Sequence, residues 1–122
     1  EAQAYWQDGL GQLAGDRLSK AQSEFQTALT GFSAQPDQKA YVGWSELGLG
    51  MVDLIGADLA ASGAADGTAG ADPKALLQSA IVHYNACIEL GEPGNPNYFN
   101  KKVVECGCKY YGAEAERLLK AD

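Results

Sequence analysis

The apolar residues of this chain recur every three or four positions in five separate segments. In the first segment, this spacing connects Trp6, Leu10 and Leu13. It places the apolar side chains on one face of a helix, whereas a half-buried strand would alternate with a period of two. The pattern therefore predicts an all-α fold with five helices, over residues 2–14, 19–33, 38–61, 73–90 and 97–119.

Residues near the predicted helix ends favour these boundaries. Ser19 with Gln22 three positions later has the spacing of a capping box. Asp72 before Pro73 combines an N-cap side chain with a proline at the first helical position. Gly91 suits the left-handed conformation that ends many helices.

Several glycines fall inside predicted helices, where each costs about 0.5–1 kcal/mol relative to alanine. In the third helix, close packing of a neighbouring helix against the backbone explains them better than a hinge does. The fifth helix is expected to bend or break near Gly107 or Gly112.

Residues 60–72 form the low-complexity segment of the chain and contain no large apolar side chain. They are expected to form an exposed loop, an insertion between the third and fourth helices. A binding loop is the alternative, although the segment offers no aromatic or arginine anchor.

The chain contains signs of an internal repeat. Tyr5 and Tyr41 each follow an alanine at the start of a predicted helix, 36 residues apart. The second and fourth helices share the order small, aromatic, small, which lets paired helices approach closely. The predicted core positions are Ala21, Phe25, Ala28, Ala80, Tyr84 and Cys87.

This arrangement resembles the tetratricopeptide repeat. The resemblance implies one domain over residues 1–122, built from two degenerate antiparallel helix hairpins and a C-terminal capping helix. A plain five-helix bundle is the alternative. Ser45 stands where the second unit would have a glycine, and about twenty extra residues interrupt that unit. The first unit carries most of the likeness, through Tyr5, Gly9, Gly15, Asp16, Ala21, Phe25, Ala28 and Pro36.

The charge of the chain excludes some partners. A formal net charge of −7 over 122 residues disfavours nucleic acids and anionic membranes, which attract basic proteins. No apolar run approaches the ~20 residues of a transmembrane helix, so a soluble protein is expected. Because the first residue is Glu1, we expect that an N-terminal segment was removed or is not included.

The single histidine and the three cysteines suggest a zinc site, but their spacing opposes it. Cys106 and Cys108 lie two positions apart on a predicted helix and point about 200° apart. We therefore predict no metal, no cofactor and no catalytic residues around His83. The odd number of cysteines favours a reducing compartment over a disulfide scaffold. A Cys87–Cys106 disulfide, which would imply an oxidising compartment, is the alternative.

Tetratricopeptide-like domains bind proteins in a groove lined by their inner helices, here the first and third. The resemblance thus implies a non-catalytic protein-interaction or scaffold module. The basic residues with which such domains clamp a C-terminal carboxylate are missing. The alternatives are a fixed accessory subunit of a larger assembly, such as a photosynthetic or respiratory membrane complex, and, more remotely, an enzyme. Candidate contact residues are Tyr5, Gln7, Gln12, Lys39, Tyr41, Ser45 and Glu46, with Tyr5 and Tyr41 favoured over Trp6 and Trp44, which are expected in the core.

Overall fold

A computed structural model of the chain describes residues 2–15, 17–35, 40–62, 72–91 and 104–121. These residues form five α-helices and no strand, which confirms the all-α prediction. A π-helical turn over Val104–Cys108 leads directly into the last helix. The helices are α1 (Ala2–Ala14), α2 (Leu18–Ser33), α3 (Ala40–Ser62), α4 (Pro73–Leu90) and α5 (Lys109–Lys120).

The start of α4 follows the predicted capping chemistry. The side chain of Asp72 accepts a hydrogen bond of 3.1 Å from the backbone N–H of Lys74, and Pro73 is the first helical residue. At the other end, Gly91 has φ of −92°, so the predicted left-handed conformation is wrong. Its backbone N–H still bonds to the carbonyls of Cys87 and Ile88, which ends the helix without a positive φ.

The start of α2 differs from the prediction. The helix begins at Leu18 after Arg17, whose side chain makes no capping hydrogen bond. Ser19 therefore lies inside the first turn, and the predicted capping box is wrong. Helix α2 thus begins one residue before the predicted start at residue 19. The added residue, Leu18, is only 2 % exposed, and burial of its apolar side chain favours this position.

Consecutive helices pack in antiparallel pairs. Trp6 in the first half of α1 packs against Phe32 near the end of α2. Leu13 at the end of α1 packs on the cluster that includes Leu18, at the start of α2. Phe32 at the end of α2 stacks on Tyr41 at the start of α3, and Cys87 near the end of α4 is bonded to Cys108 just before α5. Between α3 and α4, the earlier Glu46 meets the later His83, and the later Asp53 meets the earlier Ser79, so these two helices are also antiparallel. As a result, α1 and α3 run in the same direction.

Two buried aromatic rings lie at matching positions in the core. Phe25 of α2 packs between Gly9 of α1 and Gly48 of α3, where an added Cβ would come within 2.8 Å of the ring. Tyr84 of α4 packs against Gly50 of α3 in the same way, and a Cβ added at Gly50 would lie 2.6 Å from the Tyr84 ring. The helical glycines thus let neighbouring helices approach the rings, as their positions in the third helix suggest.

The buried core contains the residues that the sequence predicts for it. Clusters of buried residues lie between α2 and α3 and between α3, α4 and α5. Six side chains predicted for the core are fully buried, with 0 % exposure: Ala21, Phe25, Ala28, Ala80, Tyr84 and Cys87.

The end of the third helix and the start of the fifth are compared next with their predicted positions. The third helix extends to Ser62, so the predicted loop over 60–72 starts later than expected, and its residues 63–71 lie outside the described ranges. The predicted fifth helix over 97–119 is described from Val104 onward, with the π-helical turn around Gly107. Across the described ranges, no helix has the length and apolarity needed to cross a membrane.

Candidate functional site

An apolar cleft of about 320 Å³ lies between α1 and α3. Residues of α2 pack against both helices, which places α1 and α3 side by side. Leu10 is 42 % exposed, which is high for a leucine in a helical protein. The lining residues are all apolar: Trp6, Leu10, Leu13, Trp44, Leu47, Gly48 and Met51.

Aromatic rings close the cleft at the N-terminal ends of its two helices. The ring centroids of Trp6 and Trp44 lie 5.3 Å apart in an edge-on arrangement. Tyr41 packs behind them, with its centroid 6.2 Å from that of Trp6 and 5.9 Å from that of Trp44. Edge-on and offset contacts of this kind are the favoured geometries of aromatic pairs, so this end of the cleft is held by packing.

The α3 side of the cleft rests on the cores of both hairpins. Gly48 lies directly on the buried ring of Phe25. The sulfur of Met51 accepts a hydrogen bond of 3.2 Å from the Tyr84 hydroxyl. Leu47 reaches the π-helical turn, where it lies 3.2 Å from the position of a Cβ at Gly107. The cleft wall is therefore fixed by buried contacts rather than formed by mobile surface side chains.

The predicted contact residues lie in different surroundings. Tyr5 on α1 is 43 % exposed and directly precedes Trp6, which lines the cleft. Gln7 is also exposed. Gln12 accepts a hydrogen bond of 2.5 Å from Nε of Arg17. Lys39 lies outside the described residues.

Three predicted contact residues are engaged inside the protein. Tyr41 is half-buried and stacks on Phe32 with centroids 5.0 Å apart, so it supports the cleft rather than lining it. Ser45 has 0 % exposure, so its assignment to a partner surface is wrong. Ser45 shares a face of α3 with Leu49 and Val52, which pack against α2, whereas its neighbour Trp44 lines the cleft. Glu46 binds His83 of α4.

A polar cluster joins α3 to α4 across their interface. His83 approaches Glu46 with its Nδ1 atom, 2.7 Å from Oε1, and Asp53 with its Nε2 atom, 3.8 Å from Oδ2. Ser79 donates a hydrogen bond of 2.5 Å to the same Asp53 oxygen. The side chain of Asp53 is only 4 % exposed, so this carboxylate depends on these two neighbours.

The cluster changes the proton affinities of its members. The hydrogen bond to Glu46 raises the pKa of His83 above its usual value, and the charges of Glu46 and Asp53 act in the same direction. Burial raises the pKa of Asp53, against the opposing effects of Ser79 and His83. Because Ser79 donates to Asp53 rather than to His83, the cluster contains no serine activated by the histidine. Its contacts join α3 to α4.

The cysteines form a pair that differs from the predicted alternative. Cys87 of α4 is disulfide-bonded to Cys108, and Cys106 is a free, exposed thiol. The Cys87–Cys106 pairing is therefore wrong, because the π-helical turn directs Cys108 inward, at 0 % exposure, and Cys106 outward. With three cysteines, at least one must remain unpaired, but the other two can still form a disulfide. Within the described ranges, no group of three or more histidine, cysteine or acidic residues is arranged to hold a metal ion.

Sequence reasoning missed the Glu46–Asp53–His83 cluster, although a signal for it exists. Asp53 interrupts an otherwise apolar stretch of α3, and a carboxylate in such a position needs a partner from another helix. Glu46 lies seven residues earlier on the same helix face. The spacing could not show which residues of α4 would meet them, because this depends on the register between the two helices.

The chain was also compared with known proteins. No family model, curated protein or solved structure matches it. The fold and the cleft thus define it as an all-α protein of antiparallel helices with an apolar cleft between α1 and α3.

Proposed function

We propose that this chain is a non-catalytic protein-binding module whose partner occupies the apolar cleft between α1 and α3. The observation that carries the proposal is the exposure of Leu10 beside Trp6 and Trp44 in a cleft lined entirely by apolar residues. Apolar side chains that remain open to water in a fixed cleft are typical of protein-interaction sites. Tryptophan is also among the residues most often found at the energetic centre of such interfaces.

We further propose that the two hairpins are degenerate tetratricopeptide repeats. Their internal equivalence supports this: Phe25 meets a glycine of the helix before it and one of the helix after it, Gly9 and Gly48. Tyr84 meets Gly50 before it, and a Cβ at Gly112 after it would lie 3.3 Å away. On this proposal, α1 and α3 are the inner helices of successive repeats, and the cleft between them is the groove.

The test compares two charged substitutions at exposed apolar positions. Leu10→Asp places a carboxylate in the cleft, whereas Val82→Asp places one on α4, at a residue that is 66 % exposed and outside the cleft. Each tagged variant is purified from an extract of its natural source, and the bound proteins are quantified by mass spectrometry. Circular dichroism checks that both variants remain folded.

The proposal predicts a protein that is retained by the wild type and by Val82→Asp but lost with Leu10→Asp. Equal retention by both variants would show that the partner binds elsewhere. If the retained protein does not exchange with added free chain, the module is a fixed subunit. If it exchanges, the module is a transient adaptor.

A further inference from the structure

The disulfide between Cys87 and Cys108 lies directly behind one wall of the cleft. Both cysteines are fully buried, in a cluster against which Trp44, Leu47 and Met51 also pack. These three side chains belong to α3 and line the cleft from that side. The bridge and the cleft wall therefore share one block of packed side chains, although the bridge itself joins α4 to the turn before α5.

The π-helical turn connects the bridge to the cleft wall. Its last residue is Cys108, and the residue before it, Gly107, lies against Leu47, whose Cδ2 atom would be 3.2 Å from an added Cβ. A movement of Cys108 therefore reaches the cleft lining through a single residue. Turns of this kind are rare in proteins and occur frequently at functional sites.

Reduction of the bridge must displace one of its two cysteines. A disulfide bond holds its sulfur atoms about 2 Å apart, whereas two thiol sulfurs need a non-bonded separation of at least about 3.5 Å. Neither cysteine has exposed surface, so its close-packed surroundings offer no free space for the added separation. Cys87 lies within the regular helix α4, while Cys108 ends the π-helical turn. The turn is therefore the part that moves.

The last helix has other contacts that keep it in place without the bridge. Tyr84 stacks on Tyr111 with ring centroids 6.3 Å apart, and Gly112 lies against the same Tyr84 side chain. Ala115 is fully buried in the cluster between α3, α4 and α5. One bridge over a loop of this length supplies only part of a domain's stability. Reduction is therefore expected to leave a folded protein in which the turn is displaced.

We propose that the Cys87–Cys108 disulfide is a redox-sensitive switch that sets the position of the cleft wall at Leu47. In the oxidised state, the turn supports Leu47 through Gly107. In the reduced state, the turn moves away from α4 and this support is lost. The consequence for partner binding, a weaker association in the reduced state, rests on the proposed function, whereas the movement of Leu47 does not.

The reductant is a dithiol, which reaches the bridge when the turn opens locally. One thiolate of the dithiol attacks the Cys108 sulfur, the bond to Cys87 breaks, and Cys87 leaves as a thiolate that takes a proton from water. The second thiolate of the dithiol then attacks the mixed disulfide and releases Cys108, which is protonated in the same way. Two electrons pass from the dithiol, which becomes a disulfide, to the two cysteines.

NMR of the leucine methyl groups tests the switch in the whole chain. The Cys106→Ala variant is used, so that the bridge cysteines are the only ones present. Leu47 reports on the wall beside the turn, and Leu13 is the matched control, because it lines the cleft from α1 and packs on the cluster around Phe25. A small dithiol without denaturant should shift the Leu47 signals and leave those of Leu13 in place. The circular dichroism should stay helical, and a disulfide oxidant should restore the original Leu47 signals.

Three results would overturn the switch. Leu47 signals that stay in place after a thiol count shows complete reduction would mean that the bridge does not set the cleft wall. Loss of the helical signal on reduction would mean that the bridge only holds the fold together. A bridge that resists the dithiol in the absence of denaturant would be a permanent cross-link.

A second comparison distinguishes the switch from the proposed function. Cys108→Ala lacks the bridge and Cys106→Ala keeps it, and each is used to retain proteins from the extract of the natural source. Retention of the partner by Cys108→Ala should be at least about tenfold weaker. Equal retention by the two variants would overturn the regulation of binding. If Leu47 shifts on reduction but Leu10→Asp releases no protein, the movement of the wall is supported and the proposed function is wrong.

Discussion

The ring of Phe25 lies against the backbone of Gly48, so closely that a Cβ atom at Gly48 would be 2.8 Å from it. This contact joins the first hairpin to the helix that forms one wall of the cleft. Phe25 has 0 % exposure, so its ring is enclosed and has no free space into which to move.

Gly48→Ala should therefore destabilise the protein. Overpacking of this kind costs about 1–3 kcal/mol and exceeds the gain in helix propensity. The control is Gly11→Ala on α1, where an added Cβ meets nothing within 4 Å. That variant should gain about 0.5–1 kcal/mol in the free energy of unfolding, measured by urea denaturation. Equal effects of the two substitutions would contradict the contact between Phe25 and Gly48.

Ser45 provides a test of the buried core. Its hydroxyl is buried and has no hydrogen-bond partner among the described residues. Ser45→Ala removes this unpaired group and should raise the free energy of unfolding by about 1 kcal/mol. The matched control is Ser79→Ala, which removes a hydrogen bond to the buried Asp53 and should cost about 1–3 kcal/mol. Thermal unfolding followed by circular dichroism distinguishes the two, and a loss of stability in Ser45→Ala would show that its hydroxyl is paired.

The contact between His83 and Glu46 predicts a pH dependence of stability. Because the pKa of His83 is raised in the folded protein, its contribution is complete below the unfolded pKa of about 6.5 and is lost as the pH rises through the folded pKa. The melting temperature should therefore fall as the pH rises from about 6.5.

The histidine itself can be followed directly, since it is the only one in the chain. Its NMR titration should give a pKa above the usual value, and Glu46→Gln should lower this pKa because it removes the largest cause of the shift. His83→Gln should flatten the pH dependence of the melting temperature. An ordinary pKa that Glu46→Gln leaves unchanged would refute the contact.

The disulfide predicts how many cysteines react with a thiol reagent before and after reduction. In denaturant without reductant, a thiol reagent should modify Cys106 alone, whereas all three cysteines should react after reduction. The bridge spans a sequence separation of 21 residues, for which loss of the cross-link costs about 3 kcal/mol. Reductant should therefore lower the melting temperature of the wild type and of Cys106→Ser alike. Three reactive thiols before reduction would show that the bridge is absent.

Much of the fold could be predicted from the sequence because burial acts on each helix locally. The spacing of Phe25 and Tyr84 among small residues was enough to place both in the core, and Asp72 with Pro73 was enough to start α4. The site was harder to predict. Trp44 and Ser45 are neighbours in sequence, yet one lines the cleft and the other is buried, and this depends on how α3 is rotated between α2 and α4.

The central claim is that the cleft between α1 and α3 holds a protein partner. A benzophenone photo-cross-linker placed at Leu10 tests it most directly, with the same group at the exposed Val82 as the control. After irradiation in the extract of the natural source, mass spectrometry identifies the covalent adducts of each. The account predicts an adduct with a partner protein from position 10 and none with that partner from position 82. Adducts with the same partner from position 82 alone would contradict it.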